Sequence, residues 1–342
     1  GGRAAGALAA ALVLRSMASA YETQDVVFSW EGEDYSMTVA VPDDADGPPM
    51  PLIIQLHGYC LGGVRQENIQ LGMLQVVDPS RFVLAMPDAP KVAEGCALCH
   101  IAINDPHAPM YEKLGARALT GPDVQCIGWD ATDACCRAQH AGRNGGDVGY
   151  VLAAAAAAAA ELNVDPSRVS VLGIANGGFL ALRAACDAPE SFSAVVAYAA
   201  SAPPQCPAPG GGSVDVLLVH GTDDTVVPVE GGVGANNATF AGMEASAARV
   251  AAAFGCTTPT SQPDDFSLAP GDRELPLEVT ATVVGEDCGA RDASVRTWLV
   301  DGGRHFLPDA TSREFFRERV VPELLATGSG SFASPPGAVG SF

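Results

Sequence analysis

Short, continuous apolar runs alternate with longer alanine-rich segments along most of this chain. A continuous apolar run is typical of a strand that is buried on both faces of a sheet. Runs of this kind lie at 52–56, 81–86, 169–173, 193–199, 214–219 and 294–300. Helices are predicted at 147–162, 178–185, 241–254 and 311–325. Because parallel strands joined by helices form a doubly wound layer, the pattern predicts an α/β fold with a mostly parallel sheet and helices on both faces.

The outer parts of the chain differ from this pattern. Two alternating runs at 25–30 and 35–41 predict an antiparallel hairpin at a sheet edge. Residues 91–127 are irregular and rich in cysteine, histidine and proline, so we predict a long insertion there. Residues 1–20 have an apolar stretch followed by an A-x-A site, which predicts an N-terminally incomplete secretory signal peptide. The Gly/Ser/Pro/Ala composition of 327–342 predicts a disordered tail.

The turn after the predicted strand 169–173 is the most informative feature. Its sequence, GIANGG at 173–178, has the glycine spacing of the G-x-S-x-G nucleophile elbow. A Cβ at Gly173, Gly177 or Gly178 would strike the neighbouring strand or helix at such a sharp turn. The serine position is Ala175, whose methyl group cannot attack a carbonyl. The spacing predicts an elbow without its nucleophile, although an ordinary strand–glycine–helix turn is the alternative.

Two later loops supply an acid and a base in the order that an α/β-hydrolase needs. HGTDD at 220–224 follows one predicted strand and precedes a Val-Pro pair, and GGRH at 302–305 follows another. We predict that Asp224 orients His305, and that His305 is the general base toward residue 175. Asp223 is the competing acid. A turn-forming aspartate at 224 and a surface histidine at 305 are the alternatives.

Backbone donors for an oxyanion hole are expected beside this elbow. In such a fold one N–H comes from the loop after an early strand and the other from the residue after the nucleophile. Here these are the N–H groups of Tyr59 and Asn176. Backbone donors do not depend on the side chain at 175, so the hole should survive the loss of serine. His57, two residues before Tyr59, is expected to be structural.

Together these motifs resemble those of the secreted polyhydroxybutyrate depolymerase and feruloyl esterase-like group of α/β-hydrolases. That group carries Gly-x-Ser-Asn-Gly-Gly, Trp-Asn-Ala-Thr-Asp-Ala-Cys-Cys, His-Gly-Thr-x-Asp…Val-Pro and Gly-Gly-x-His. The matching segments here are 173–178, 129–136, 220–228 and 302–305. The resemblance covers roughly residues 24–325, which it implies are one α/β-hydrolase domain. It implies an extracellular carboxylic-ester hydrolase acting on polyesters or on phenolic esters of plant polysaccharide.

Composition and charge exclude several classes of function. The formal net charge is −21, with 19 lysines and arginines and no basic cluster, so nucleic acid and anionic membrane surfaces are disfavoured as partners. No central stretch is long and apolar enough to span a bilayer. The acidity also disfavours a polyanionic substrate. A neutral ester is therefore the expected partner.

The ten cysteines favour disulfides in an oxidising compartment and therefore secretion. We predict the pairs Cys186–Cys206 and Cys256–Cys288, because the ends of each intervening segment should return to the same rim of the sheet. Spacing alone does not fix the connectivity of the cysteines.

Part of the insertion permits two other interpretations. Cys96, Cys99 and His100 match the C-x-x-C-H pattern of haem attachment, with Met110 as a second axial ligand. The same residues with His107 would give a zinc site, but thiolate ligands need a reducing compartment, which the predicted signal peptide argues against. We therefore expect a loop stapled by disulfides, with neither a metal nor a cofactor.

Two hypotheses of function follow. In the first, the chain is an ester hydrolase whose turnover is very low, because removal of a triad serine costs about a millionfold. In the second, it is a non-catalytic protein that binds esters or polysaccharide on a hydrolase scaffold. The alanine at 175 favours the second hypothesis, and the surviving acid, histidine and backbone donors favour the first.

Overall fold

The computed structural model describes residues 21–43, 47–59, 71–90, 128–132, 147–208, 211–233, 239–268, 276–307 and 309–326. The predicted signal peptide, the insertion 91–127 and the predicted tail lie outside these residues. The candidate haem and zinc ligands lie within that insertion and are therefore outside them too.

Twelve strands lie within the described residues. They are β1 Tyr21–Trp30, β2 Glu33–Pro42, β3 Met50–Leu56, β4 Val83–Pro87, β5 Val164–Ile174, β6 Ala194–Tyr198, β7 Asp215–Gly221, β8 Gly231–Val233, β9 Thr239–Ala241, β10 Phe266–Leu268, β11 Leu277–Cys288 and β12 Ala293–Val300. Ten of them form one sheet in the order β1-β2-β4-β3-β5-β6-β7-β12-β11-β10, and β8 pairs with β9 separately.

The helices connect these strands. They are α1 Val77–Ser80, α2 Asp147–Glu161, α3 Asn176–Asp187, α4 Met243–Phe254, α5 Asp309–Phe315 and α6 Val321–Leu325. Short 3₁₀ turns lie at Met73–Val76, Pro189–Ser191 and Gly289–Arg291, and a π-helical turn at Phe316–Val320 joins α5 to α6. In the part of the chain that the structure describes, no helix is long and apolar enough to cross a bilayer.

The predicted fold class is confirmed. Strands β4, β3, β5, β6, β7 and β12 run parallel to one another, and β1 and β2 form the expected antiparallel edge hairpin. β11 and β10 extend the opposite edge antiparallel. This is the sheet of the α/β-hydrolase fold, and it places the carboxyl ends of β3, β5, β7 and β12 on one edge.

Several elements differ from the sequence expectation, and β5 and β11 are the longest of them. β5 begins at Val164, five residues before the predicted strand, and its pairing with β3 shifts register between Met50 and Leu52. β11 was not predicted, because its apolar residues alternate with polar ones instead of forming a continuous run. That alternation is the ordinary pattern of a strand buried on one face. Its solvent-facing positions place β11 near the edge of the sheet.

Apolar packing on both faces of the sheet stabilises the central strands. All seven residues of β3 and all seven of β7 are buried. Val171 of β5 packs into the core beneath α2, α3 and α4, while its neighbour Leu172 packs into the core beneath α5 and α6. Because successive side chains of a strand point to opposite faces, a continuous apolar run fills both cores.

Both predicted disulfides are present. Cys186–Cys206 joins the end of α3 to the loop after β6, and Cys256–Cys288 joins the residues after α4 to the end of β11. The first bond therefore ties a helix to the loop after the next strand, and the second ties the chain after a helix to the last residue of β11. Such cross-links reduce the conformational entropy of the unfolded chain.

A buried ion pair fixes the closing helix to the sheet. Arg296 of β12 donates to Glu323 of α6 over 2.6 Å, and both side chains are about nine-tenths buried. Burial raises the pKa of Glu323 and lowers that of Arg296, and the charge of each partner opposes these shifts. Asp215 of β7, whose pKa burial also raises, adds a second carboxylate near Arg296.

Substitution of Arg296 tests this pair. Arg296→Met leaves Glu323 buried without its cation, and we expect the free energy of unfolding at neutral pH to fall by about 3–5 kcal/mol. Denaturant titration followed by circular dichroism measures the change. The control is Arg183→Met, which breaks the Arg183–Asp187 pair, whose side chains are 27% and 25% exposed. That control should cost less than about 1 kcal/mol, and equal costs would contradict the assignment.

Candidate active site

Ala175 lies at the junction between β5 and α3 in a strained backbone conformation. Its φ is 49° and its ψ is −116°, a region that residues other than glycine rarely adopt. Its N–H donates to the carbonyl of Tyr198 over 2.9 Å, and its carbonyl accepts the N–H of Phe179 over 3.0 Å. These two backbone hydrogen bonds therefore hold residue 175 in the sharp turn of a nucleophile elbow, although this residue is an alanine.

The glycines of the elbow have the steric role expected from the sequence. A Cβ on Gly173 would collide with the backbone of Gly177, and a Cβ on Gly177 would collide with the carbonyl of Leu56 at the end of β3. A Cβ on Gly178 would lie 2.8 Å from the Cβ of Ala200. Strand, turn and helix approach one another too closely for side chains at these positions.

Asp224 and His305 form a hydrogen-bonded pair at the same edge. Nδ1 of His305 lies 2.9 Å from Oδ2 and 3.1 Å from Oδ1 of Asp224. Because an ionised carboxylate only accepts hydrogen bonds, Nδ1 carries a proton and Nε2 is left as the basic atom. Asp223 is exposed, whereas the side chain of Asp224 is fully buried. The structure therefore pairs the histidine with Asp224, the preferred of the two candidates.

The Asp224 carboxylate is held ionised inside the protein. Its Oδ1 accepts the N–H groups of Val226 and Val227, each over 2.9 Å, and its Oδ2 lies 3.3 Å from Nε2 of His220. Burial alone would raise the pKa of Asp224. The charge on His305, together with hydrogen bonds from His220 and His305, outweighs burial and holds that pKa well below its usual range.

Backbone hydrogen bonds tie the loop that carries Asp224 to the loop that carries His305. The N–H of Thr222 donates to the carbonyl of Val300 over 3.0 Å, and that of Asp223 to the carbonyl of Gly303 over 2.8 Å. The N–H of Gly302 donates back to the Thr222 hydroxyl over 2.8 Å. These bonds fix the separation of acid and histidine independently of their side chains.

His57 has a structural role, as expected. Its Nε2 accepts the N–H of Ala89 over 2.9 Å, so its Nδ1 carries the proton and donates to the carbonyl of Gly58 over 2.8 Å. Complete burial lowers the pKa of His57 to about 4, so the ring is neutral at physiological pH. The ring therefore braces the residues that lead to Tyr59 without serving as a base.

The side chain of Asn176 anchors the elbow to the segment around Trp129. Its Oδ1 accepts the N–H of Trp129 over 2.6 Å, and its Nδ2 donates to the carbonyl of Trp129 over 3.0 Å. The backbone N–H of Asn176 lies in the first turn of α3, at the positive end of the helix dipole. Asn176 thus combines a buried structural side chain with a backbone group suited to an oxyanion.

Trp129 is a buried structural residue next to the elbow. Its side chain is fully buried, its indole N–H donates to the carbonyl of His57 over 2.9 Å, and its ring packs between His57 and Tyr150. Through its contacts with His57, the tryptophan supports the loop that leads to Tyr59. A buried indole normally needs such an acceptor, which here lies 72 residues away in the chain.

Two residues that the sequence motifs did not single out complete the site. His220 of β7 is buried, and its Nε2 donates to the carbonyl of Val227 over 2.8 Å while it contacts Asp224. Tyr198 accepts the N–H of Ala175 with its carbonyl and donates its hydroxyl to the carbonyl of Arg304 over 3.1 Å. The sequence feature that could have identified both residues is their position at the ends of predicted strands.

Comparison with known proteins agrees with this architecture. Residues 140–203, which include the elbow, match the Prolyl oligopeptidase family. A search among curated proteins finds no match.

Similar solved structures include an acetyl xylan esterase from Aspergillus awamori, with a TM-score of 0.54 and 14% identity over 86% of this chain and 98% of that one. A protein solved as native sOPH has a TM-score of 0.50 and 11% identity over 92% of this chain and 91% of that one. At such identities the likeness establishes the fold. The chain has the α/β-hydrolase fold, and its site has the acid–histidine pair of a serine hydrolase with alanine at the nucleophile position.

No metal site is apparent in the described part of the chain. There, no group of three or more histidine, cysteine, aspartate or glutamate side chains is arranged to hold an ion. The described site presents three kinds of group. These are a base at His305, an ionised carboxylate at Asp224, and the backbone donors expected at Tyr59 and Asn176.

The lowered pKa of Asp224 makes a prediction about stability. A carboxyl whose pKa is lower in the folded state contributes stability above its unfolded pKa, near about 3.9, and loses it as the pH falls through the folded pKa. The difference in unfolding free energy between the parent and Asp224→Asn should therefore be largest at neutral pH and shrink below about pH 4. Urea titrations across this range measure it.

Asp223→Asn is the matched control for that experiment. Asp223 is exposed, and its backbone N–H makes its hydrogen bond to the loop that carries His305. This substitution should therefore lower the free energy of unfolding by less than about 0.5 kcal/mol. A difference between the parent and Asp224→Asn that stays constant from neutral pH to about pH 3 would contradict the assignment.

Proposed function

We propose that this protein binds neutral carboxylic esters at the edge formed by Ala175, Asp224 and His305, and that it turns them over very slowly. The observation that carries this proposal is the buried Asp224–His305 pair, at 2.9 Å, on the same sheet edge as a strained elbow. An acid–histidine pair of this kind activates a hydroxyl group. The elbow, the acid and the histidine support the proposal, and the hydroxyl is the group that Ala175 lacks.

A serine at position 175 would complete a two-step ester hydrolysis. Its hydroxyl would lose a proton to Nε2 of His305 and attack the acyl carbon, while Asp224 stabilises the imidazolium. The N–H groups of Tyr59 and Asn176 would bind the tetrahedral oxyanion. His305 would then protonate the leaving alkoxide, and water would hydrolyse the acyl-enzyme. Alanine removes the nucleophile of the first step and leaves the other groups in place.

We further propose that the substrates are extracellular polyesters or phenolic esters of plant polysaccharide. Support comes from the four motifs shared with secreted polyhydroxybutyrate depolymerase and feruloyl esterase-like proteins. The net charge of −21 favours a neutral substrate over a polyanion. The Cys186–Cys206 and Cys256–Cys288 disulfides support an oxidising, extracellular location.

A second candidate function is ester or polysaccharide binding without catalysis. Ala175 is the observation that favours it. An alanine held at a φ of 49° has a strained backbone but no hydroxyl group that could attack an ester. Under this proposal the scaffold is retained for recognition alone. Sedimentation of the protein with insoluble polyester or feruloylated xylan would measure such binding.

Restoration of the serine separates the two functions. We expect Ala175→Ser to raise the hydrolysis of an activated neutral ester by at least roughly 10⁴-fold and to give a burst of acyl-enzyme, because the remaining triad groups are already placed. Stopped-flow release of a chromogenic alcohol measures the burst, and intact-protein mass spectrometry identifies the adduct. A panel of short polyesters and feruloyl esters then ranks the substrates.

Ala199→Ser is a matched control. Ala199 is a second buried alanine with a positive φ, 53°, directly after β6, so it receives the same methyl-to-hydroxymethyl change near the same edge. It should give no burst. Ala175→Ser combined with His305→Gln should lose the burst as well. If the folded Ala175→Ser protein shows neither a burst nor a rate gain, the hydrolytic function is wrong, and retained sedimentation would leave binding as the function.

A further inference from the structure

We propose that the chain with Ala175 hydrolyses activated neutral esters by a different route, with water as the nucleophile and His305 as the general base. This inference rests on the proposed ester site and goes beyond it, since it assigns an activity to the protein that lacks the serine. The reaction is a single displacement without an acyl-enzyme.

The state of the His305 imidazole is the first support. Asp224 engages Nδ1, which leaves the lone pair on Nε2. Within the described ranges, Nε2 makes no recorded hydrogen bond, and the side chain is 11% exposed. A base with a free lone pair and access to solvent is suited to bind and deprotonate a water molecule.

The geometry of the elbow is the second support. Ala175 keeps the backbone position of a nucleophile, and its side chain is shorter than that of serine by the hydroxyl oxygen. Tyr198 links this turn to the histidine loop, because its carbonyl binds the N–H of Ala175 and its hydroxyl binds the carbonyl of Arg304. Phe306, next to His305, lies in the same apolar cluster as Ala175. A water molecule can therefore take the place of a serine hydroxyl between base and ester.

The charges of the site favour the transfer of a proton to His305. The Asp224 carboxylate is buried and ionised, and it offsets the charge of the imidazolium that forms. Nε2 of His220 lies 3.3 Å from Oδ2 of this carboxylate, the oxygen that is also nearest to Nδ1 of His305. The carboxylate is thus fixed before the reaction begins, so little reorganisation is needed.

The step balances without any further reactant. The oxygen of water bonds to the acyl carbon while one of its protons passes to Nε2 of His305, and the N–H groups of Tyr59 and Asn176 face the oxyanion. Collapse of the tetrahedral intermediate breaks the bond to the alcohol oxygen, which takes the proton from His305. The products are the carboxylic acid and the alcohol, and no atom of the ester is bonded to the protein at any stage.

The test compares the purified parent protein with His305→Gln in the hydrolysis of p-nitrophenyl acetate. We expect His305→Gln to lower the rate on the order of 100-fold, because general-base catalysis contributes about 10²–10⁴-fold. Asp223→Asn, which alters only the exposed neighbour of Asp224, should keep the parent rate. Circular dichroism verifies that each variant is folded.

Two measurements on the parent protein need no variant. Treatment with a fluorophosphonate should leave the rate unchanged, because that reagent disables only activated serines, including traces from misincorporation at position 175. Added methanol should raise the rate of ester loss in proportion to its concentration, since the alcohol attacks directly. Mass spectrometry under turnover should detect no acyl adduct.

The outcomes are decisive. The water route would be overturned if the parent protein had the same rate as His305→Gln, or if the fluorophosphonate fully inhibited the parent. An acyl adduct on any side chain of the parent would also overturn it. If the parent fails in this way while Ala175→Ser shows its burst, only this inference falls. If Ala175→Ser is inactive as well, the proposed hydrolytic function falls with it.

Discussion

The close approach of two loops at one edge of the sheet is the constraint on which the site depends. β7 and β12 are parallel neighbours, and the backbones of Gly221 and Gly303 lie so close that a Cβ on Gly221 would collide with Gly303. This contact brings the turn with Asp224 against the loop with His305. Without it, the carboxylate would be buried without its partner, which typically costs about 3–5 kcal/mol. The contact therefore links the stability of the fold to the chemistry of the site.

The backbone conformation of the elbow does not depend on the side-chain atom that would react at position 175. Ala175 keeps a φ of 49° because its backbone is bonded to Tyr198 and Phe179 and because glycines fill the tight positions around it. None of these interactions involves the side chain at 175. A change from hydroxyl to hydrogen at that position therefore leaves the strand, the turn, the helix and the acid–histidine pair in place, and the chemistry changes while the fold does not.

Much of this arrangement was predictable from particular residues. The apolar runs predicted the parallel strands, and the glycine spacing predicted the elbow, because both reflect local steric rules. β11 was not predicted, since its pattern alternates and only pairing with β12 shows that it extends the sheet. The role of Trp129 was not predicted either, because the acceptor of its indole N–H, the carbonyl of His57, is distant in the chain. Local sequence patterns thus located the strands and the elbow, whereas contacts between residues distant in the chain decided how side chains are oriented.

The sequence by itself determined the fold class, the chain order of elbow, acid and histidine, and the presence of alanine at position 175. Only the tertiary structure decided that Asp224 and not Asp223 meets His305, and that His220 and Tyr198 support the site. The physical reason is that burial and ionisation depend on contacts between residues far apart in the chain, and Asp224 and His305 are 81 residues apart. Spacing fixes which loop carries a group, but packing fixes which group in that loop faces the site.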